Sequence, residues 1–410
     1  MNDSSPGKTA LLAQVGRLTA SVVTERIRPR RPTTLDDVPS SVAHLTREWL
    51  SVALCREYPG ADVTGFDIGS GSAGSTSRAA LTVHYNDAGV DAGLPTEVFS
   101  KATPNLTSRL ITVPSAALVT EAAFYTTIEP ELSIETPMGY HAAIDQRSGR
   151  SMFLLEDIAR TRGATFGDPI ELYIDRAKAD DMVTTLASLH GSFWNSPRIT
   201  DRADLGWIKT ALRFQLDCNA AIGFEKRSMV GIDRAADVIP PAFHDRRHEI
   251  WPAAMRSLEI HERHPMTLLH SDVHSRNWYV TGDGRMGLCD WQLITRGFWA
   301  LDLSYALTSA LTVDDRRAWE RDLIALYIDE LAAAGGAKLS FDEAWLAYRQ
   351  QVFHGLIFWL YTMGHGLFQP AMQPDPVSRI NCERMATAVV ELDSLDSLDE
   401  TPDSASIRER

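Results

Sequence analysis

Cysteine is scarce in this chain of 410 residues. Cys55, Cys218, Cys289 and Cys382 lie far apart and form no CxxC pair, which excludes a local zinc knuckle and points to reduced thiols. Positive charge is in deficit too, with 40 Lys and Arg against 54 Asp and Glu and a net charge of −14. Nucleic acid and anionic membranes attract basic surfaces, so neither is an expected partner. Long hydrophobic runs are also missing. The most apolar late stretch, residues 352–368, is interrupted by His354, Gly355, Gly364, His365 and Gly366, too short and too polar to span a bilayer. No charged-then-apolar-then-small pattern marks a secretory signal. The expectation is a cytoplasmic protein.

Apolar content of 44% and charged content of 23% are ordinary for a globular chain, and the length allows two lobes with separate cores. Residues 1–35 read as an accessory helix and a Pro/Arg-rich link, "RIRPRRPTT". Val42, Leu45, Leu50 and Leu54 fall near helical spacing, with Ser40 or Ser41 as the cap. Strand-like pieces follow in "DVTGFDIGS", "RAALTVHY" and "TEVFSKA", then a helix over 116–128 and a buried strand, "SMFLLEDI". Beyond residue 158 the signals turn helical, in "ADDMVTTLASLHGSFW" and in "RDLIALYIDELAAAGG", whose double glycine suits a helix end. This order predicts an α+β protein of two unequal lobes, 36–157 and 158–388. An acidic tail at 389–410, including "ELDSLDSLDETPD", reads as disordered.

"GSGSAGST", residues 69–76, admits three phosphate readings. A dinucleotide-binding turn must open a helix, yet the following residues alternate as a strand. A Walker A loop needs a lysine where Ser75 stands. The third reading is a turn between antiparallel strands, with the backbone N–H groups of Gly71, Gly74 and Ser75 facing the phosphates of ATP. A hairpin without ligand remains the bland alternative. The kinase reading then requires a lysine on the third strand and a carboxylate on a following helix. Lys101 and Glu121 fill those places, with Glu97 a competitor for the pairing. "FLLEDI" fits a segment joining two lobes, where the backbone from Glu156 to Ile158 meets the adenine edge and Leu154 forms an apolar wall.

"LLHSDVHSRNWYV", residues 268–280, packs charged groups between apolar stretches. Asp272 and Asn277 fit the catalytic-loop spacing H-x-D-x-x-x-x-N. "WYV", the turn "TGDG" and "RMGLC" form a β-hairpin signal that brings Asn277 beside Asp290. Their hard oxygens suit Mg²⁺, while Asp272 takes the proton of an acceptor hydroxyl. The rival reading is a metallohydrolase with His270, Asp272 and His274 as ligands; it leaves Asn277, Asp290, Lys101 and the glycine segment without roles. A catalytically silent nucleotide- or ligand-binding protein is the second rival. No activation-loop tract or A-P-E segment follows "DWQ", which disfavours a protein substrate.

Taken together, "LLHSDVHSRNWYV", "GLCDWQ" and "GFWALDLSYAL" resemble the aminoglycoside phosphotransferase and choline-kinase-like superfamily, in particular bacterial members similar to ecdysteroid-kinase-like proteins. "LTREWLSVAL", "FLLEDI" and "LASLHGSFW" share the likeness, which runs from about residue 45 to 390. The resemblance implies a bilobal protein-kinase-like fold with a β-rich N-lobe and a mostly helical C-lobe. It implies an ATP- and Mg²⁺-dependent kinase of a small-molecule hydroxyl, with Asp272 as base, Asn277 and Asp290 as metal ligands, and Lys101 paired with Glu121. By the same likeness Asp302 braces the catalytic loop. Ser271 departs from a common glycine, and Arg276 precedes Asn277, facing phosphate or solvent. His354, Phe358, Tyr361 and His365 form one helical stripe, read either as core or as the wall of a site for an apolar alcohol.

Overall fold

A computed structural model describes residues 8–28, 31–73, 76–113, 116–366 and 372–401. The chain forms two compact units. One comprises Met1–Leu132, Thr136–Ala164 and Asp290–Leu293; the other comprises Ser133–Glu135, Thr165–Cys289 and Ile294–Arg410. The class is α+β, with an antiparallel sheet in the first unit and mainly helices in the second.

The first unit is built on a five-stranded sheet in the order β1-β2-β3-β5-β4. Its strands are β1 Val63–Ala73, β2 Ser77–Tyr85, β3 Glu97–Ala102, β4 Gly139–Asp145 and β5 Arg150–Glu156. Alternation in β2 buries Leu81 and Val83 on the face that also carries Val63, Val98, Met152 and Leu154. The helix Arg47–Cys55 covers that face with Trp49, Leu50, Ala53 and Leu54, each leucine burial contributing about 1.5–3 kcal/mol. Leu154 is therefore core, in contrast to the apolar wall expected of it. The helix expected over residues 42–54 is two pieces, a 3₁₀ turn Val42–His44 and the helix Arg47–Cys55. Thr46 is the cap, its hydroxyl accepting the Trp49 amide, and Ser41 makes no side-chain cap bond. The helix over 116–128 is Ala117–Ala123 continued by a π-helical turn, Phe124–Ile128.

The glycine segment also differs from expectation. Gly71 lies inside β1, opposite Ala79 and beside a register shift. A Cβ there would stand 2.7 Å from the Arg78 carbonyl, so close strand approach requires glycine at this point. The turn itself, with Gly74 and Ser75, lies outside the described residues.

In the second unit, β8 Trp278–Val280 and β9 Met286–Leu288 form the expected hairpin, Trp278 opposite Leu288. Strand β6 Thr165–Phe166 joins β8, and β7 Thr267–Leu269 pairs with β10 Thr295–Gly297. Asp175 caps the helix Arg176–Ser192 by accepting the Lys178 amide. The helix Val313–Ala333 ends before Gly335, whose φ of +98° stops it at the double glycine. The acidic end is folded as far as residue 401, where disorder was expected from 389. The helices Asp375–Glu391 and Ser394–Ser397 bury Val389, Leu392 and Leu398. Arg349 pairs with Glu400, Arg246 with Asp396 and Arg256 with Asp399. Arginines elsewhere in the second unit thus neutralise part of the acidic run that reads as disordered.

Candidate active site

Lys101 stands near the end of β3, opposite Arg78 on β2. Its Nζ lies 2.7 Å from Glu121 Oε1 and 2.8 Å from Asp290 Oδ1. Burial opposes a charged ammonium here, but the Asp290 and Glu121 carboxylates outweigh it and raise the Lys101 pKa. Glu97 pairs with Arg160 instead, which settles the competition in favour of Glu121. The helix Ala117–Ala123, which carries Glu121, also positions Asp290. Thr120 Oγ1 donates to the Gln292 carbonyl at 2.7 Å. Trp291 stacks on Phe124 with ring centroids 3.8 Å apart and donates its indole N–H to Thr136 Oγ1 at 2.9 Å. Arg78 completes the cluster, with Nη2 3.2 Å from Asp290 Oδ2. Arg78 has no motif to mark it in the sequence. Its only signal was a cation opening the strand that follows the glycines.

At the end of β5, Glu156 is buried, and its carboxylate accepts from Arg162 Nε at 2.9 Å and Thr161 Oγ1 at 2.7 Å. Its amide donates to the Met138 carbonyl. Ile158 is buried and opens the short helix Ile158–Thr161. The carbonyls of Asp157 and Ile158 are used in that turn, by Arg160, Thr161, Arg162 and Ala164.

In the second unit the loop after β7 holds Asp272. Asp302, fully buried on the helix Ala300–Ala310, accepts the amide of His270 at 2.7 Å and that of Ser271 at 2.9 Å. Burial alone would raise its pKa; the His190 hydrogen bond and charge, with His270, bring it below the ordinary value. Asn277 closes the 3₁₀ turn Ser275–Asn277 and donates Nδ2 to the Asp272 carbonyl oxygen at 2.7 Å and to Asp272 Oδ2 at 3.2 Å. Those bonds hold the amide through Nδ2 and leave Oδ1, its acceptor, on the opposite side. The Cys289 amide donates to the Asn277 carbonyl at 2.9 Å, and Asp290 is the next residue. Asp272 itself retains 14% side-chain exposure.

The zinc reading fails on the histidine rings. His270 Nε2 bonds the Cys289 carbonyl at 3.0 Å and its Nδ1 accepts the Asp272 amide at 3.2 Å, so neither nitrogen remains for a metal. His274 Nδ1 accepts the Arg276 amide. Among the described residues, no group of three His, Cys, Asp or Glu is arranged to hold a metal ion. Arg276 is exposed and donates to Gln373. In the aromatic stripe His354 and Tyr361 are buried, whereas Phe358 is half-buried. His354 reaches the Ser271 carbonyl at 2.9 Å. The rings of Phe358 and Tyr361 lie 5.1 and 4.4 Å from that of Phe224. His365 stands beyond the helix end and bonds the Thr362 carbonyl.

Residues 109–347, more than half of the chain, fit the profile of a phosphotransferase enzyme family. Among solved structures the chain is similar to a microcompartment-associated aminopropanol kinase, with a TM-score of 0.47 and 12% identity over 80% of this chain and 92% of that one. It is also similar to a macrolide 2′-phosphotransferase from Brachybacterium faecium, with a TM-score of 0.42 and 14% identity over 80% and 94%. For a choline kinase from Streptococcus pneumoniae the values are 0.40 and 15% over 80% and 94%. No curated protein sequence matches it significantly. Among the described residues no helix is long and apolar enough to cross a membrane.

Proposed function

From the premise that the chain belongs to the phosphotransferase enzyme family, we propose that it moves the γ-phosphate of ATP to a hydroxyl of a small molecule, with Mg²⁺ and with Asp272 as base. The observation that carries this reading is the Lys101 ammonium held between Glu121 and Asp290. A lysine fixed in this way keeps its charge and offers its remaining donor to a phosphate oxygen. Arg78 presents further N–H groups beside it, with 39% side-chain exposure. The Glu156 carbonyl and the Ile158 amide are the backbone pair assigned to the adenine edge, since neighbouring carbonyls are spent in the turn. Asn277 and Asp290 would hold the magnesium ion, which when bound supplies charge neutralisation for the phosphates.

Asp272 aligns the acceptor hydroxyl and takes its proton as the oxygen attacks phosphorus. General-base help of this kind is worth about 10² to 10⁴ in rate; positioning and charge compensation supply most of the remainder. The test is ADP release across a panel of alcohols, with and without Mg²⁺. Mg²⁺-dependent turnover that Asp272→Ala abolishes, with ATP-induced thermal stabilisation retained, is the expected result. ATP binding without turnover on any alcohol or water would indicate a silent binding protein, and activity restored by zinc alone would indicate hydrolysis.

A further inference from the structure

We infer that Tyr305 is a positioning residue for Asp272 and that Gly355 provides its seat; the inference rests on Asp272 being the base of the proposed transfer. Tyr305 follows Asp302 by one turn on the helix Ala300–Ala310, so one rigid element grips the loop twice. Asp302 holds the backbone through two amides. Tyr305 holds the side chain, its Oη donating to Asp272 Oδ1 at 3.3 Å. Burial, and then the Asp272 charge, keep the phenol well above its ordinary pKa, so it remains a donor.

The packing around the ring shows that the space is specific. Tyr305 is 2% exposed, and a Cβ at Gly355 would lie 2.4 Å from its Cδ2. Glycine inside the helix Phe353–Met363 costs about 1 kcal/mol relative to alanine, and room for the Tyr305 ring accounts for it. The preceding residue, His354, bonds the Ser271 carbonyl, so this second helix supports both the loop and the tyrosine. His274 Nε2 stands 3.6 Å from the same Oδ1. Its Nδ1 accepts the Arg276 amide, which leaves the proton of the neutral ring on Nε2. Oδ2 faces Asn277 Nδ2. With both oxygens engaged, the carboxylate plane is fixed before any acceptor arrives, and a displacement of about 1 Å in such a group can cost on the order of 10² in rate.

The experiment compares wild type, Tyr305→Phe, Asp272→Asn and the double variant as full chains. It measures Mg²⁺-dependent ADP release with water or the best alcohol of the panel as acceptor, together with thermal melting. Tyr305→Phe should lower kcat about tenfold, leave KM for ATP within about twofold, and cause no further loss in the Asp272→Asn background. Gly355→Ala should reproduce the kcat loss by crowding the ring; if it fails to fold, Tyr305→Phe decides. Unchanged kcat in Tyr305→Phe, or an equal loss in both backgrounds, overturns the positioning role. A wild type without Mg²⁺-dependent ADP release, or an Asp272→Asn variant as active as wild type, overturns the proposed function and this inference together.

Discussion

Ser271 and Asp290 both adopt left-handed backbone, with φ of +67° and +66°, a conformation that costs an L-residue about 1–2 kcal/mol. At Ser271 the cost is offset by the amide bond to Asp302 and by a 2.6 Å hydroxyl contact with Thr295. The requirement at this position is therefore backbone sign as well as small size. Charge is handled with equal care at Lys101. Truncating Lys101 to alanine leaves the buried Glu121 carboxylate beside Asp290 without its cation, and breaking a buried pair costs about 3–5 kcal/mol. Lys101→Ala should lose stability of that order in chemical denaturation, and Lys101→Ala/Glu121→Ala should recover part of it. A single variant within about 1 kcal/mol of wild type would contradict the pairing. Arg78, more exposed, should act on the ligand instead. Arg78→Ala should weaken ATP about tenfold by calorimetry, as expected for one charge-assisted hydrogen bond, and affect adenosine little; equal affinity for ATP would remove it from the phosphate contacts.

Two elements do most to shape the loop, the hairpin β8–β9 and the helix Ala300–Ala310. Asp302→Ala takes the shared acceptor from two buried amides, each costing about 1–3 kcal/mol when left unmade. The variant should melt well below wild type and lose turnover, whereas an unchanged melting curve would mean that the loop is held elsewhere. The hairpin was legible because its signal is local: apolar triplets around Thr-Gly-Asp-Gly, with Gly284 at φ +88°. The pairing of Lys101 with Glu121 and the contact of Asn277 with Asp272 were legible because a phosphoryl-transfer pattern places those residue types at fixed intervals. Other features depend on register or on distant partners. Strand β4 is an edge strand in which only Ala143 is fully buried, so its alternation is faint. Arg78 reads as a solvated cation until pairing sets it opposite Lys101. Leu154 and the acidic end were misread because the partners that bury or neutralise them lie far away in sequence. Gly355 could not be interpreted before the Tyr305 ring was placed beside it.

At the scale of the whole molecule, buried and half-buried histidines contribute to the response to acid. Desolvation lowers the pKa of His141 to about 4 and that of His261 to about 3, and it also lowers His264 and His354. The unfolded chain binds these protons near the ordinary value of 6.5, whereas the folded chain refuses them until lower pH. Their contribution is thus complete above pH 6.5 and is lost as pH falls toward the folded values, at about 1.4 kcal/mol per pH unit for each group in its window. The depressed carboxylates act in the same direction but later. Burial opposes charge on Asp302, yet its histidine contacts lower its pKa; Glu391 is lowered first by its Arg317 hydrogen bond. Both therefore lose their contribution only below the ordinary carboxylate range. Two phases follow, a decline in melting temperature from about pH 6.5 and a steeper one below about pH 4.5. His261 is the group to vary. Its Nδ1 bonds Gln351 and its Nε2 accepts the Phe298 amide, so His261→Gln lowers stability at every pH but removes one proton from the early phase. The expected signature is a shallower slope of melting temperature between pH 6.5 and 5 in the variant. An equal slope in variant and wild type across that interval would remove His261 from the early phase.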